Sequence, residues 1–243
     1  MRGYDPMLSF GAETAADYDR FLRGDEEETV RFLVKQSRGG RTLELAIGTG
    51  RIAIPLAQAG VPVEGLDLSP EMLAVLRSKT TGDQIPVTLG NFRDIPVTGS
   101  FRLIYLVYNT FFNLLTQEDQ VTCLANVAKH LDDDGTFLVE AFTPGYLFRL
   151  RDNQYVDAEA IEVGEVRLDV ARHDPVTQLL EESHVVLSST GVSVSPIVCR
   201  YVWPSELDLM ARMAGLRLLD RWGGWNEEPF NPESRRHVSV YGR

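Results

Sequence analysis

Two glycines and an aspartate in the first third of the chain have the spacing of a nucleoside-cofactor site. Gly48 and Gly50 follow an apolar run at 42–45, and a second apolar run at 61–66 ends at Asp67, seventeen residues after Gly50. Glycines allow the backbone to approach a ligand closely, and the helix expected next offers its N-terminal amides. A carboxylate at the tip of the following strand can accept two ribose hydroxyls. The pattern therefore predicts that a nucleoside cofactor binds here.

The residues alone leave two classes of cofactor open. The spacing Gly48-x-Gly50-x-x-Ala53 fits the dinucleotide fingerprint, and Asp67 lies at about the expected distance, so an NAD-dependent oxidoreductase is one interpretation. A dinucleotide, however, brings a pyrophosphate that favours positive potential. Glu44 lies only four residues before Gly48. A carboxylate there suits a ligand with an ammonium and a sulfonium, so the charge favours S-adenosylmethionine.

Hydrophobic periodicity predicts the elements that position these residues. The expected helices are 12–22, 26–36, one from Arg51, one from Pro70, 118–131 and 203–214. The expected strands are 42–45, 61–66, 87–89, 103–108, 136–141, 160–172, 178–188, 192–202, 216–222 and 237–241, with a turn at 132–135. Strands that alternate with helices as far as residue 141 indicate an α/β class with a parallel sheet. The three strands from 160 to 202 have no helices between them, which indicates an antiparallel meander.

Composition limits the partners and the compartment. The 243 residues carry a formal net charge of −11, which argues against nucleic acid because affinity for it rests mainly on phosphate neutralisation. The chain has no eighteen-residue apolar run and its first nine residues lack a signal-peptide core, so we expect neither membrane span nor leader. Cys123 and Cys199 belong to no metal-ligand spacing, and we expect reduced thiols, a cytoplasmic protein and no metal site.

Two segments resemble the motifs of the class I S-adenosylmethionine-dependent methyltransferases. Residues 43–50 are similar to motif I, an acid followed by glycines at every second position, with Ala46 where the first glycine usually stands. Residues 63–73 resemble the second motif, in which the acid holds the ribose and a Ser-Pro-x-Met segment begins the next helix. The resemblance continues through 87–94 and 101–105 and reaches the carboxyl end.

The resemblance implies one domain with a Rossmann-like class I methyltransferase fold. We expect a mostly parallel seven-stranded sheet flanked by helices, with an inserted antiparallel meander and an antiparallel terminal hairpin. The expected parts of the single domain (1–243) are an N-terminal helical cap at 1–40, a cofactor-binding half at 41–141, inserted strands at 155–203, and a C-terminal helix and hairpin at 204–243. The insertion is similar to that of bacterial small-molecule N-methyltransferases, such as those that dimethylate amino sugars in antibiotic pathways. The inserted strands could also mediate a homo-oligomer.

The cofactor contacts expected from the spacing and the resemblance lie at strand ends and in the glycine loop. They are Glu44, Ala46, Gly48, Gly50, Asp67, Leu68, Met72, Asn91, Phe92 and Tyr108. Asn91 stands where many family members have an acid that faces the adenine amino group, and an amide oxygen can accept the same hydrogen bond. Phe92 either stacks beside the adenine or belongs to the core.

Four further residues are candidates for catalysis or for positioning the acceptor. Tyr18 matches the aromatic residue that lies over the active site in related N-methyltransferases, or it anchors its helix. Phe111 follows the fourth parallel strand, where open α/β sheets bind ligands, and either Phe111 or Phe112 belongs to the core. Glu140 orients or deprotonates an acceptor, or is a solvated carboxylate. His184 lies in the meander, where a single histidine is more often structural.

Three functions remain open from the sequence. The first is a methyltransferase that uses S-adenosylmethionine, yields S-adenosylhomocysteine and acts on an amine, or a hydroxyl, of a small organic molecule in bacterial secondary metabolism. The second is the NAD-dependent oxidoreductase. The third is a non-catalytic protein that binds S-adenosylmethionine. The chain does not name the acceptor, and a missing catalytic motif argues against none of these functions, because methyl transfer depends mainly on orientation.

Overall fold

The computed structural model describes residues 4, 9–20 and 23–243. The helices used below are α1 (Ala12–Asp17), α2 (Glu26–Ser37), α3 (Ala53–Gln58), α4 (Pro70–Arg77), α5 (Gln117–His130) and α6 (Pro204–Met213). The strands are β1 (Thr42–Leu45), β2 (Val63–Asp67), β3 (Val87–Leu89), β4 (Phe101–Leu106), β5 (Leu131–Phe142), β6 (Gln154–Glu162), β7 (Glu165–Asp174), β8 (Leu179–Ser188), β9 (Gly191–Arg200), β10 (Arg217–Trp222) and β11 (Arg236–Gly242).

Seven strands form the central sheet in the order β10-β11-β5-β4-β1-β2-β3. The five neighbouring strands β5, β4, β1, β2 and β3 pair in parallel. Strand β11 lies between β5 and β10 and is antiparallel to both. The remaining four strands form an antiparallel sheet in the order β6-β7-β8-β9. This confirms the expected Rossmann-like fold with an inserted antiparallel sheet and a terminal hairpin. Among the described residues, no helix is long and apolar enough to cross a membrane.

Helices cover both faces of the central sheet, so its strands are buried on both sides. Along β4, Ile104 packs in a cluster with α5 and α6, whereas Leu103 and Tyr105 pack in a second cluster with α2 and α3. Successive side chains of a strand point to opposite faces, which explains this division. All three side chains are fully buried. The carboxyl ends of β1, β2 and β4 are thereby fixed next to one another at one edge of the sheet.

The structure corrects two boundaries near the predicted cofactor site. Helix α1 ends at Asp17, and a 3₁₀ turn at Tyr18–Arg20 follows in place of a helix to residue 22. Phe21 and Leu22 of that prediction lie outside the described residues. Helix α3 begins at Ala53 instead of Arg51, because Gly50 has a left-handed φ of 82° and the next two residues complete the turn.

The acidic segment 132–135 forms a bulge within β5, where a turn before the strand was expected. The parallel register to β4 shifts from Phe101↔Leu131 to Leu103↔Thr136, so the extra residues bulge out without ending the strand. The strand is therefore longer than the expected 136–141.

The inserted sheet has four strands, and the prediction of three strands was wrong. The expected strand at 160–172 is divided by a tight turn at Val163 and Gly164, and the residues on either side pair as Glu162↔Glu165. Gly164 adopts a φ of 91°, which a two-residue hairpin turn accommodates readily with glycine. The additional strand, β6, begins at Gln154.

Candidate functional site

The loop between β1 and α3 contains three residues with left-handed backbone conformation. Ala46, Gly48 and Gly50 have φ angles of 56°, 56° and 82°. A Cβ atom on Gly48 would meet no atom within 4 Å, whereas one on Gly50 would clash with Leu76. Gly48 therefore leaves room for a ligand, and Gly50 allows close packing of the loop on α4. Ala46 keeps the left-handed geometry although it has a Cβ, which costs about 1–2 kcal/mol.

Asp67, at the end of β2, ties this loop to the tip of its strand. Its Oδ2 accepts a hydrogen bond from the Gly48 amide and its Oδ1 accepts one from the Ser69 amide, both at 2.8 Å. Burial raises the pKa of Asp67, while the hydrogen bonds from these two amides lower it. A carboxylate oxygen has two lone pairs, so each can accept a further hydrogen bond from a ligand hydroxyl.

A cavity with about 800 Å³ of free space, open mouth included, lies beside Asp67 and the loop. Seven of the ten expected cofactor contacts line it, namely Ala46, Gly48, Asp67, Leu68, Met72, Asn91 and Phe92. The N-terminal segment adds Phe10 and Tyr18, and the turn after β4 adds Thr110 and Asn113. The strand tips and the N-terminal segment therefore enclose one largely apolar chamber that contains a few polar groups.

Asp19 anchors the N-terminal segment over the loop. It accepts a 2.6 Å hydrogen bond from the Thr49 hydroxyl and forms a 2.6 Å ion pair with Lys79. The neighbouring Tyr18 is partly buried, and burial raises its pKa to about 12. Its phenol therefore stays protonated at neutral pH, where it can donate a hydrogen bond but cannot serve as a base.

Glu44 lies below the loop and does not line the cavity. Its Oε2 accepts a 2.8 Å hydrogen bond from the Tyr105 hydroxyl, and its side chain is buried. Burial raises the pKa of Glu44 to about 8, the Tyr105 hydrogen bond and the charge of Arg51 lower it, and the charge of Asp67 raises it. The carboxyl group is thus poised to change charge when a cation comes close.

Two arginines stack on the ring of Tyr108, which lies two residues beyond the end of β4. The guanidinium carbon of Arg23 lies 4.2 Å and that of Arg51 4.3 Å from the ring centroid. Arg51 also pairs with Glu26 at 2.9 Å. Both arginines line a second, smaller pocket beside Tyr108 together with Asp25 and Glu140, and a guanidinium group is well suited to a carboxylate. The sequence prediction missed both residues, although Arg51 directly follows the second glycine of the loop.

Glu140 holds the turn that follows β4. Its Oε2 accepts a 2.6 Å hydrogen bond from the Tyr108 amide and lies 3.2 Å from Nη1 of Arg23. Tyr108 and Asn109 both have left-handed φ angles, 66° and 60°, and the Asn109 side chain accepts a 2.7 Å hydrogen bond from the Phe142 amide. The carboxyl group is 1% exposed, which corrects the alternative of a solvated carboxylate. Its geometry suits positioning of the turn better than deprotonation of an acceptor.

The prediction that Phe111 contacts the acceptor was wrong. The 3₁₀ turn Thr110–Asn113 directs both Phe111 and Phe112 into the core, and each is 0% exposed. Phe112 packs edge-to-face on Phe142 with ring centroids 5.0 Å apart. The polar residues at either end of the turn, Thr110 and Asn113, face the cavity instead.

His184 lies on the inserted sheet in a group of charged side chains. Its Nδ1 is 2.7 Å from Asp169, and this hydrogen bond raises the pKa of His184, although burial lowers it. The donor atoms of Glu159, Asp169 and His184 lie within 4.8 Å of one another because β6, β7 and β8 are adjacent. The pKa of Tyr108 is raised first by burial, and the charge of Glu159 also raises it. The charge of Glu159 therefore acts on the turn after β4.

The chain has matches among known methyltransferases. A family model described as a methyltransferase domain matches residues 42–135. The solved CcbJ methyltransferase from Streptomyces caelestis is 34% identical, with 98% of this chain and 99% of that chain covered and a TM-score of 0.92. A cypemycin N-terminal methyltransferase from a Streptomyces species is 28% identical over 84% of each chain. The dTDP-3-amino-3,6-dideoxy-α-D-glucopyranose N,N-dimethyltransferase of Streptomyces fradiae is 29% identical over 58% of this chain and 60% of that protein.

The relatives and the site agree on the type of cofactor. Gly48 leaves open space beside the cavity, and the carboxylate oxygens of Asp67 have lone pairs left to accept hydrogen bonds from a ligand. The matches are to methyltransferases, so the dinucleotide interpretation of the glycine loop is not supported. The chain therefore belongs to the class I S-adenosylmethionine-dependent methyltransferases, and S-adenosylmethionine is its cofactor.

Proposed function

We propose that the protein methylates an amine nitrogen of a small organic molecule in bacterial secondary metabolism. The observation that carries this proposal is the character of the candidate bases. A hydroxyl acceptor usually requires a general base whose pKa lies near neutrality. Tyr18 has a pKa of about 12, Glu140 is occupied by Arg23 and the Tyr108 amide, and His184 is not among the residues that line the cavity. An amine that has lost its proton needs no such base.

Each part of the cofactor has a proposed partner in the site. We assign the ribose hydroxyls to Asp67, the adenine to Asn91 and Phe92, and the methionine carboxylate to Arg23 and Arg51. The positions of these residues around the cavity and the adjoining pocket support the assignment.

When bound, S-adenosylmethionine would supply an electrophilic methyl group to the amine lone pair, with S-adenosylhomocysteine as the leaving group. The protein contributes orientation, which can account for about 7–11 kcal/mol of the barrier. Tyr18 covers the chamber and excludes water, and Thr110 and Asn113 offer polar contacts to the acceptor. The proton released from the methylated nitrogen passes to solvent.

The acidic side of the inserted sheet supports a cationic amine as the acceptor. Glu159, Asp169 and Glu182 are contributed by three adjacent strands, and Glu159 acts electrostatically on Tyr108. A group of like charges concentrates ligands of the opposite sign in the space around it. The names of two relatives, an N-terminal methyltransferase and an amino-sugar N,N-dimethyltransferase, point to the same class of acceptor.

The test is methyl transfer from S-adenosylmethionine with a trideuterated methyl group. The acceptors are a panel of amino sugars and short peptides with free N-termini, each paired with an analogue in which a hydroxyl replaces the amine. We expect mass spectrometry to find the label on nitrogen in at least one amine and on none of the paired analogues. The Asp67→Ala variant, with its ribose contact removed, is the control for cofactor-dependent labelling. Labelling of the hydroxyl analogues alone would contradict N-methylation.

We also propose that the protein is a cytoplasmic homo-oligomer that associates through the outer face of the inserted sheet and does not bind nucleic acid. This face carries exposed apolar side chains of Val156, Val170, Leu187, Val192 and Val194. Both cysteines are free thiols, which supports a reducing compartment, and the net charge of −11 disfavours a polyanion. Light scattering should give an oligomer for the unaltered protein and a monomer for Val194→Lys. A monomer in both cases would remove the proposed interface.

A further inference from the structure

The pair Glu44–Tyr105 lies directly under the cofactor loop, on the adjacent strands β1 and β4. The two residues are in register, and the Tyr105 hydroxyl donates a 2.8 Å hydrogen bond to Glu44 Oε2. Glu44 is 4% exposed and Tyr105 is 0% exposed. Ala46, which follows Glu44 by two residues and begins the cofactor loop, lines the cavity. A change in the charge of Glu44 would therefore be felt where the cofactor binds.

The charged and titratable groups around Glu44 leave its carboxyl group without an ion pair. The positive charge of Arg51 lowers the pKa of Glu44, but the Arg51 guanidinium is itself paired with Glu26 at 2.9 Å. The charge of Asp67 at the end of β2 also acts on Glu44, and the charge of Glu44 acts on the Tyr18 phenol. None of the ion pairs among the described residues includes Glu44. A buried carboxylate without a cationic partner takes up a proton in preference to staying charged.

We propose that Glu44 is protonated in the cofactor-free protein and ionises when the ammonium group of S-adenosylmethionine binds, and that Tyr105 is the positioning residue which orients the carboxyl group and stabilises its ionised form. One O–H bond of the carboxylic acid breaks, the proton passes to the buffer, and the buried carboxylate stabilises the ammonium electrostatically from beneath the loop. Cofactor binding thereby releases one proton. The inference depends on the cofactor and not on the identity of the acceptor.

The direction of the pKa changes supports this coupling. Burial raises the pKa of Glu44 to about 8, and the Tyr105 hydrogen bond lowers it, so without the phenol the group would ionise at still higher pH. Burial and the charge of Glu44 hold the pKa of Tyr105 well above its usual range, so the phenol remains a donor. Because the complex holds fewer protons than the free protein, affinity should rise with pH below the pKa of the free form.

The experiment is isothermal titration of the whole protein with S-adenosylhomocysteine at pH 7 in buffers of different ionisation enthalpy. We expect release of close to one proton per ligand bound. Between pH 6 and pH 8 the affinity should increase by up to about tenfold per pH unit, the limit for one proton. Methylthioadenosine, a nucleoside without the amino-acid tail, should bind with no proton release. Absence of proton release with S-adenosylhomocysteine, or equal release with both ligands, would overturn the proposal.

Three variants separate positioning from a merely structural role. Tyr105→Phe should bind more weakly at pH 7 and recover at higher pH, because the pKa of Glu44 moves up. Glu44→Gln should bind without proton release and without the pH dependence. Tyr241→Phe is the matched control, since its buried hydroxyl also donates to a carboxylate, Asp208, at 2.7 Å. It should keep the pH profile of the unaltered protein. If Tyr105→Phe kept that profile too, Tyr105 would have no positioning role.

Discussion

Replacement of Glu44 by Gln should stabilise the cofactor-free protein at neutral and alkaline pH while it weakens cofactor binding. Burial raises the pKa of Glu44 from 4.5 to about 8, so the folded state binds this proton more tightly than the unfolded chain does. The associated stability is fully present below about pH 4.5 and is lost as the pH rises towards 8. At 1.36 kcal/mol per pH unit, the loss reaches at most about 5 kcal/mol. Glutamine does not titrate and suffers no such loss.

Urea unfolding of the cofactor-free protein at pH 5 and pH 8 measures this effect. The free energy of unfolding of Glu44→Gln, relative to the unaltered protein, should increase between the two pH values by a large fraction of that limit. Glu140→Gln is the matched control, and at pH 8 it should lower the free energy of unfolding. Its carboxylate is also buried but is paired with Arg23 and the Tyr108 amide, and loss of a buried partner is destabilising. A stability difference for Glu44→Gln that does not change with pH would refute the reasoning.

Three further substitutions test individual contacts. Asp67→Ala removes the acceptor of the Gly48 and Ser69 amides and of the ribose, so calorimetry should show at least about a tenfold loss of S-adenosylhomocysteine affinity, with the circular dichroism unchanged. Ala46→Gly relieves about 1–2 kcal/mol of strain in the left-handed backbone conformation. Glycine also increases the conformational entropy of the unfolded chain, which costs about 0.5–1 kcal/mol, so thermal unfolding should show a small gain in stability. Arg23→Ala should weaken S-adenosylhomocysteine binding but leave methylthioadenosine, which has no carboxylate, unaffected; equal losses for both ligands would contradict the assigned contact.

The central sheet could be predicted because its strands are buried on both faces. The apolar runs at 42–45 and 87–89 match β1 and β3, and Pro70 begins α4 as expected from the Ser-Pro pair. Ser69 caps that helix by accepting the Met72 amide at 3.1 Å, a local interaction that the sequence alone indicates. Likewise, the glycine loop and Asp67 are close in sequence to the strands that position them.

The parts of the site that depend on distant contacts could not be predicted. Arg23 comes from a segment without periodicity and reaches Tyr108 only through the fold. The pairing of Glu44 with Tyr105 depends on β1 and β4 being neighbours, although 61 residues separate the two in sequence. The hairpin at Val163–Gly164 was missed because apolar and polar residues alternate on both sides of it, and only a one-residue shift in that alternation marks the turn. Phe111 illustrates the remaining difficulty, since a short 3₁₀ turn decides which side chains face the ligand.

The position of the transferred methyl group tests the account most directly. The protein would be incubated with trideuteromethyl S-adenosylmethionine and an acceptor that carries both a free amine and a free hydroxyl, such as an amino sugar, and the product analysed by tandem mass spectrometry and NMR. The account predicts that the label lies on nitrogen and that N-acetylation of the acceptor abolishes transfer. Label on oxygen, with transfer retained after N-acetylation, would contradict it.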